Sequence, residues 1–254
     1  MGLAKAEMMR QEELEPMYEW IAEQFDYESS EEGTAEWAEA EKAYYQHCIE
    51  LQELEKQEIL EADLEWYLHV SSPKRHFDSQ IASVNELLSV EVSTAAQFSL
   101  LVMLHAHLVA SIEAYFASFF IQQVTSSDCL IRKLVETDPT FSEMKFTMRD
   151  IYEKHENLNR TVAKYLKDII FHDIKKIKPM FRDVLGFDFG DIVWLFKAVE
   201  LRHNCVHRAG RDKEGNKVEL TVDSITKLIA ELCDIANKIE FSCNSNPIDD
   251  DRPF

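Results

Sequence analysis

The sequence predicts an all-α protein. Its 254 residues include only six glycines and six prolines, too few for the many turns of a β-sheet protein. Apolar residues make up 46% of the chain, and in several segments they recur at helical spacing. We therefore expect a helical bundle that follows an acidic helical N-terminal region.

Residues 1–90 form the predicted N-terminal region. Residues 1–70 hold 20 acidic and four basic residues, a net charge of -16 within a total of -20. Two helices are expected over residues 4–26 and 34–70, and a short helix over residues 78–91 follows the break at residues 71–75. An apolar heptad starts at Trp37 but reaches a glutamate at position 58. A helix pair packed on its own domain or on a partner is therefore favoured over a coiled coil.

Residues 94–124 are the most apolar segment and predict a buried helix. The segment is long enough to cross a membrane. His105, His107 and Glu113 lie near its middle, and no basic segment flanks it. These features favour a core helix and no membrane span. Since the two histidines are two residues apart on a helix, they point to different faces and are expected to be packed or interface side chains.

A basic and aromatic stretch follows Pro139, and it permits two interpretations. Its cations are Lys164, Lys167, Lys175, Lys176, Lys178 and Arg182. Such a run is usually the solvated face of a helix, and the alternative is a surface that follows a phosphate backbone. Sequence alone leaves both open.

Two helices are expected to complete a bundle over residues 91–242. The first, residues 189–208, ends before a Gly210 C-cap, and its predicted apolar stripe is Ile192, Leu195, Phe196, Val199 and Val206. The second has Asp223 or Ser224 as its N-cap. Its predicted stripe is Ile225, Leu228, Ile229, Leu232, Ile235 and Ile239. Residues 243–254 are predicted to be a disordered tail.

The sequence lacks the motifs of several classes of metal site and enzyme. The five cysteines are scattered without a CxxC pair, which predicts a reducing cytoplasm and no zinc module. His203 and His207 have the spacing of a zinc HExxH pair, but Asn204 occupies the position of its glutamate. The P-loop, dinucleotide-binding and nucleophile-elbow glycine motifs are all missing from the sequence. We therefore expect no metal and no cofactor.

The segment from Glu200 to His207 concentrates polar chemistry at a helix end. Helix C-termini often carry Arg and His because these complement the negative end of the dipole. Arg202, four intervening residues and His207, followed by a glycine-containing turn and a last helix, also resemble the RxxxxH signature of the HEPN domains. The string from Ser111 through Glu113 to Tyr115 is similar to an early core helix of that family. The resemblance covers about residues 91–242.

The resemblance implies metal-independent RNA cleavage by attack of a ribose 2′-hydroxyl on the adjacent phosphate. Arg202 would stabilise the phosphorane charge, His207 would move a proton, and His203 would orient the substrate. Glu113 would support the core helix. The residues implied to bind flanking parts of the RNA are Asn204, Arg208, Arg211, Lys213 and Lys217.

The family also implies partners. They are RNA, a second copy of the chain in a homodimer, and a cognate antitoxin or defence protein in the cytoplasm. One toxin subgroup is neutralised at a tyrosine two places after the motif histidine, and this chain has Ala209 there. That form of regulation is therefore not expected. Domains that resemble this family also bind RNA, nucleotides or proteins without cutting RNA. The net charge of -20 disfavours diffuse binding to nucleic acid, so a non-catalytic module of this kind is the alternative.

Overall fold

A computed structural model describes residues 14–25, 34–69, 72–142, 158–169, 171 and 173–245. The chain divides into two compact units, Met1–Asp63 and Leu64–Phe254. Both are helical in the described ranges, where the β structure consists of one antiparallel bridge between Arg211 and Lys217. The predicted all-α class is confirmed.

The first unit contains helix α1, residues 14–24, and most of α2, Ala35–His69. Met17, Ile21, Trp37 and Ala40 form its small core. Beyond this core, residues 51–62 of α2 are all exposed. The predicted helices over residues 4–26 and 34–70 are confirmed where they are described, and residues 4–13, 26 and 70 lie outside the described residues.

Helix α3, Pro73–Leu88, begins the bundle of the second unit. The Ser72 side chain caps its N-terminus by accepting a hydrogen bond from the backbone N–H of Arg75. Phe77, Ile81 and Val84 are buried in the core of this unit. The division after Asp63 thus differs from the boundary expected after residue 90, because α3 contributes an apolar face to the bundle.

Helix α4, Thr94–Thr125, is the central helix of the bundle. Sixteen of its 32 residues are buried, and it packs against α3 and against four helices that follow it. By length and composition alone it is also the one helix among the described residues that could cross a membrane. An apolar core helix meets the same criterion, and the expectation of no membrane span stays a prediction.

Four short helices and a π-helical turn follow α4. They are α5 (Asp128–Thr137), α6 (Pro139–Ser142), α7 (Leu158–Asp168), α8 (Ile174–Met180) and the π-turn Phe181–Leu185. Two of the helices, α5 and α7, pack directly on α4. The ring of Phe181 in the π-turn lies 5.0 Å from that of Phe120 and 5.9 Å from that of Phe116, both on α4. These aromatic contacts anchor the π-turn to the central helix.

Helix α9, Val193–Arg208, starts later than predicted. The side chains of Asp188 and Asp191 accept hydrogen bonds from the backbone N–H groups of Gly190 and Val193, and these local turns replace a helix before residue 193. Two residues of the expected apolar stripe, Phe196 and Val206, are exposed, so that part of the prediction is wrong.

Helix α10, Val222–Ser245, completes the described bundle. Its predicted apolar stripe from Ile225 to Ile239 is buried throughout. The predicted N-cap is wrong: Thr221 and Ser224 exchange side-chain and backbone hydrogen bonds of 2.9 and 3.1 Å, so Thr221 is the cap. The expected tail also begins too early, because Cys243 is still helical and packs on the core. Residues 246–254 lie outside the described part of the chain.

Candidate functional site

The position of α9 is fixed by a buried histidine of the central helix. His105 Nε2 donates a hydrogen bond of 3.0 Å to the backbone carbonyl of Ala198. Burial lowers the pKa of His105, and the bond to Ala198 opposes this effect. His105 is therefore the packed histidine that was predicted, and it lies opposite a point one helical turn before Arg202. His107, two residues along α4, is exposed.

The C-terminal end of α9 is held by a close backbone contact. Ala209 and Gly210 both have positive φ angles, 51° and 76°, and the Gly210 N–H bonds to the Asn204 carbonyl at 3.0 Å. A Cβ atom at Gly210 would lie 2.4 Å from Val102 Cγ2 and 2.9 Å from Phe98 Cζ. Ala209 takes the C-cap position predicted for Gly210, and the glycine lets the chain pass directly over α4.

His203 and His207 form the exposed face of this helix end. Their ring centroids are 4.6 Å apart, as expected for residues four apart on a helix. Partial desolvation lowers the pKa of His203, and so do the positive charges of His207, Arg208, Arg202 and Lys213. A neutral His203 beside a second imidazole can accept a proton near neutral pH.

Arg202 is half-buried, and its surroundings differ from those of the two histidines. It precedes His207 by five residues, which places the two Cα atoms roughly 140° apart around the helix. Its Nε is buried and has no hydrogen-bond partner among the described residues. Burial raises the pKa of Glu113 on α4 to about 6, and the charge of Arg202 limits that rise. The structure thus brings Glu113, expected to support the core, into the electrostatic range of Arg202.

The residues expected to bind RNA fall into two groups. Asn204 Oδ1 accepts a hydrogen bond of 2.8 Å from Arg208 Nη1, and Lys213 is close enough to affect the pKa of His203. Arg211 instead donates to the Gly215 carbonyl at 2.7 Å, and the Lys217 ammonium lies 4.8 Å from the centroid of the Phe98 ring. Arg211 thus stabilises the turn that follows α9, Lys217 packs on α4, and neither is among the cations that act on His203.

Sequence reasoning missed two features of this helix end. The first is the His203–His207 ring contact, which the four-residue spacing signals although that spacing was considered only for zinc. The second is the approach of Glu113 to Arg202, which depends on how α4 and α9 cross. A crossing angle is set by packing between helices distant in sequence, so no local pattern signals it.

The basic stretch after Pro139 lies on other helices. Most of its cations are exposed, and Lys178 is tied to the Gly190 carbonyl at 2.7 Å. This exposure is compatible with both of the interpretations stated above.

In the described residues, no three His, Cys, Asp or Glu side chains are grouped so that they could hold a metal ion. No family model matches the chain, and neither curated proteins nor solved structures yield a significant match.

Proposed function

We propose that the second unit contains a HEPN-like domain that cleaves RNA without a metal ion. The observation that carries the proposal is the cluster at the end of α9, where the charges of Arg202, His207, Arg208 and Lys213 all act on His203. A permanent guanidinium whose charge acts on one of two contacting imidazoles is a suitable set for phosphodiester transfer, because it combines charge stabilisation with proton transfer.

The proposed reaction is an internal transfer. The ribose 2′-oxygen bonds to the adjacent phosphorus while the bond to the 5′-oxygen of the next nucleotide breaks. One imidazole takes the 2′-hydroxyl proton, and a protonated imidazole gives a proton to the leaving 5′-oxygen. Arg202 stabilises the charge on the phosphorane oxygens. The products are a 2′,3′-cyclic phosphate and a free 5′-hydroxyl.

The lowered pKa of His203 extends the role expected from the sequence. His207 is the proposed proton carrier, and His203 was expected to orient the substrate. Since partial desolvation and nearby positive charges favour the neutral form of His203, this imidazole is available to take the 2′-hydroxyl proton.

Arg202→Ala and His207→Ala test this assignment. Each is expected to reduce cleavage of a defined RNA about a hundredfold or more, while circular dichroism remains that of the wild type. Lys197→Ala is the matched control, because it removes an exposed cation of the same helix that does not act on His203. Wild-type cleavage by either folded cluster variant contradicts the assignment.

End-group analysis in EDTA tests the mechanism separately. Cleavage is expected to persist and to leave 2′,3′-cyclic phosphate ends. Products with 5′-phosphate ends, or a requirement for added Mg²⁺, contradict an internal transfer.

The proposed active form is a two-fold homodimer that places two Arg202 and His207 pairs in one cleft. In support, apolar side chains of the helix that carries the cluster are exposed: Phe196 is 38% and Val206 50% accessible on α9. Light scattering should give about twice the chain mass of 29.6 kDa. A strictly monomeric protein with full activity contradicts the shared cleft.

The wider biological role rests on the resemblance. A part in bacterial stress response or phage defence, an antitoxin or defence partner, and a cytoplasmic location stay predictions. Co-purification with a protein that suppresses RNA cleavage is the measurement that would support a partner.

A non-catalytic assembly module is the second candidate, and one observation favours it. In α2, the side chains of Leu51, Leu54 and Ile59 are each more than half exposed among acidic residues. Such a surface suits a protein partner with basic and apolar side chains. Intact, folded protein that leaves all RNA substrates uncut would favour this candidate.

A further inference from the structure

A cavity of about 570 Å³ lies in the second unit, outside the cluster on α9. Its lining comes from α5, α6, α7, α8 and the π-turn. The size is within the range of pockets that hold small organic ligands. Part of its wall is formed by Met180 and Val184, at the junction between α8 and the π-turn, and π-helical turns are frequent at functional sites.

The interior of the cavity is mainly apolar. Leu134 and Val184 are fully buried, and Ile169 and Met180 are half-buried beside them. The ring of Tyr165 forms part of the same lining, and Phe141 supports it edge-on at a centroid distance of 4.6 Å. These surfaces suit the apolar body of a ligand.

The polar groups in the lining are mostly satisfied within the protein. Tyr165 donates a hydrogen bond of 2.7 Å to Asp138 Oδ2, and the other oxygen of Asp138 accepts one of 2.9 Å from the backbone of Thr140. Burial raises the pKa of Tyr165 to about 12, so the hydroxyl stays neutral at physiological pH. Asp183 is paired with Arg182 through bonds of 2.7 and 3.0 Å.

Lys175 is the cation of the lining that these contacts leave unpaired, while the Asp138 carboxylate is hydrogen-bonded to two neutral donors and keeps its negative charge. Its neighbour Lys176 lies 4.0 Å from Asp173, whereas Lys175 is exposed and has no ion-pair partner among the described residues. An unpaired cation at the edge of an apolar surface attracts a negative charge carried on an apolar body.

We propose that this cavity binds a small amphiphilic carboxylate. Its apolar body lies against Leu134, Ile169, Met180 and Val184, and its carboxylate pairs with Lys175. A flexible alkyl chain and a flat aromatic ring both satisfy this chemistry. The site does not depend on RNA cleavage, so its test is independent of the proposed function.

Calorimetric titration of the full chain with octanoate and with 2-naphthoate tests the proposal. At least one of the two is expected to bind, and its uncharged amide is expected to bind about fivefold more weakly, because it lacks the charge that pairs with an exposed lysine. Octanoate binding alone identifies the alkyl class, and naphthoate binding alone the aromatic class. Absence of binding by both at millimolar concentration overturns the proposal.

Two variants locate the bound carboxylate. Lys175→Gln is expected to weaken the carboxylate about fivefold without changing the affinity of the amide. The matched control is Lys227→Gln, which removes an exposed lysine of α10 and should change neither affinity. Equal carboxylate affinities of the wild type and Lys175→Gln overturn the proposed pairing.

A methyl NMR measurement locates the apolar body without a substitution. With methionines labelled at the methyl carbon, ligand addition is expected to shift the Met180 signal and to leave the exposed Met103 on α4 unchanged. Binding that shifts Met103 and not Met180 places the ligand elsewhere and overturns the proposal.

Discussion

The middle of α4 and the last two turns of α9 belong to the same bundle, yet their polar side chains have opposite surroundings. On α4, His105 is buried and bonded to a backbone carbonyl, whereas on α9 His203 and His207 are exposed and contact each other. Histidine is thus a packing residue in one region and a candidate for chemistry in the other. The role of each histidine is decided by the helix face on which it lies and by the burial of that face, and the residue type alone does not decide it.

This contrast has an energetic side. Substitutions in the middle of α4 remove packing that many neighbours share, while substitutions at the exposed end of α9 remove charges that contribute little to folding. Stability and chemistry should therefore respond to different residues of the same bundle.

Phe120→Ala is expected to give the largest loss of stability. Phe120 is fully buried and its ring contacts those of Phe171 and Phe181, so truncation should lower the free energy of unfolding by about 3–5 kcal/mol. Met103→Ala, on the exposed face of the same helix, is the control and should cost less than about 0.5 kcal/mol. Equal denaturation midpoints for the two variants would show that α4 is not the centre of the core.

Gly210→Ala should give the second-largest loss of stability. The free energy of unfolding is expected to fall by about 2–4 kcal/mol, because the left-handed backbone is strained in alanine and the added Cβ overlaps with Val102. Gly215→Ala separates the two causes. Gly215 has a φ of 87° with no atom within 4 Å of an added Cβ, so this variant should show the strain alone, about 1–2 kcal/mol. Urea denaturation measures both, and a smaller loss for Gly210→Ala than for Gly215→Ala contradicts the close contact.

Glu113→Gln should change the pH dependence of stability. The pKa of Glu113 is near 4.5 when unfolded and about 6 when folded, so the folded state binds more protons between these values. The free energy of unfolding therefore falls as pH rises through that window. Because Glu113 is only half-buried, the expected loss is about 1 kcal/mol. Denaturation of both proteins at pH 4 and 7.5 should show this loss in the wild type but not in the variant, and the same loss in both would exclude Glu113 as its cause.

His207→Ala should have the smallest effect on stability, below about 0.5 kcal/mol, because the side chain is exposed. A loss of several kcal/mol would show that the end of α9 serves the fold. Thermal denaturation beside the cleavage assay would then separate a folding defect from a chemical one.

Much of this bundle is predictable because its signals are local. The stripe from Ile225 to Ile239 identified α10, and the apolar run around Phe116 identified α4. Local signals also misled: Asp223 is a good N-cap type, but the exchange between Thr221 and Ser224 competes more effectively. Phe196 looked like a core residue because periodicity reports the hydrophobic face of a helix without showing whether a neighbour covers it.

The candidate site was also predictable only in part, where its signals are local. Arg202, His203 and His207 could be selected from a six-residue string, and their common location follows from the helix. The approach of Glu113 to Arg202 and the contact of Lys217 with Phe98 could not, because both depend on where α4 lies relative to the end of α9. The bond from Arg211 to Gly215 depends on the conformation of the turn.

Ala209 gives the experimenter a practical advantage. Its left-handed backbone costs an alanine roughly 1–2 kcal/mol that glycine avoids, and the residue is exposed. Ala209→Gly should therefore raise the melting temperature by about 2–4 °C while it leaves the neighbouring cations in place. Destabilising substitutions could then be introduced into the Ala209→Gly protein. Its higher melting temperature would allow such variants to be purified in the folded state, so that their activity can be measured.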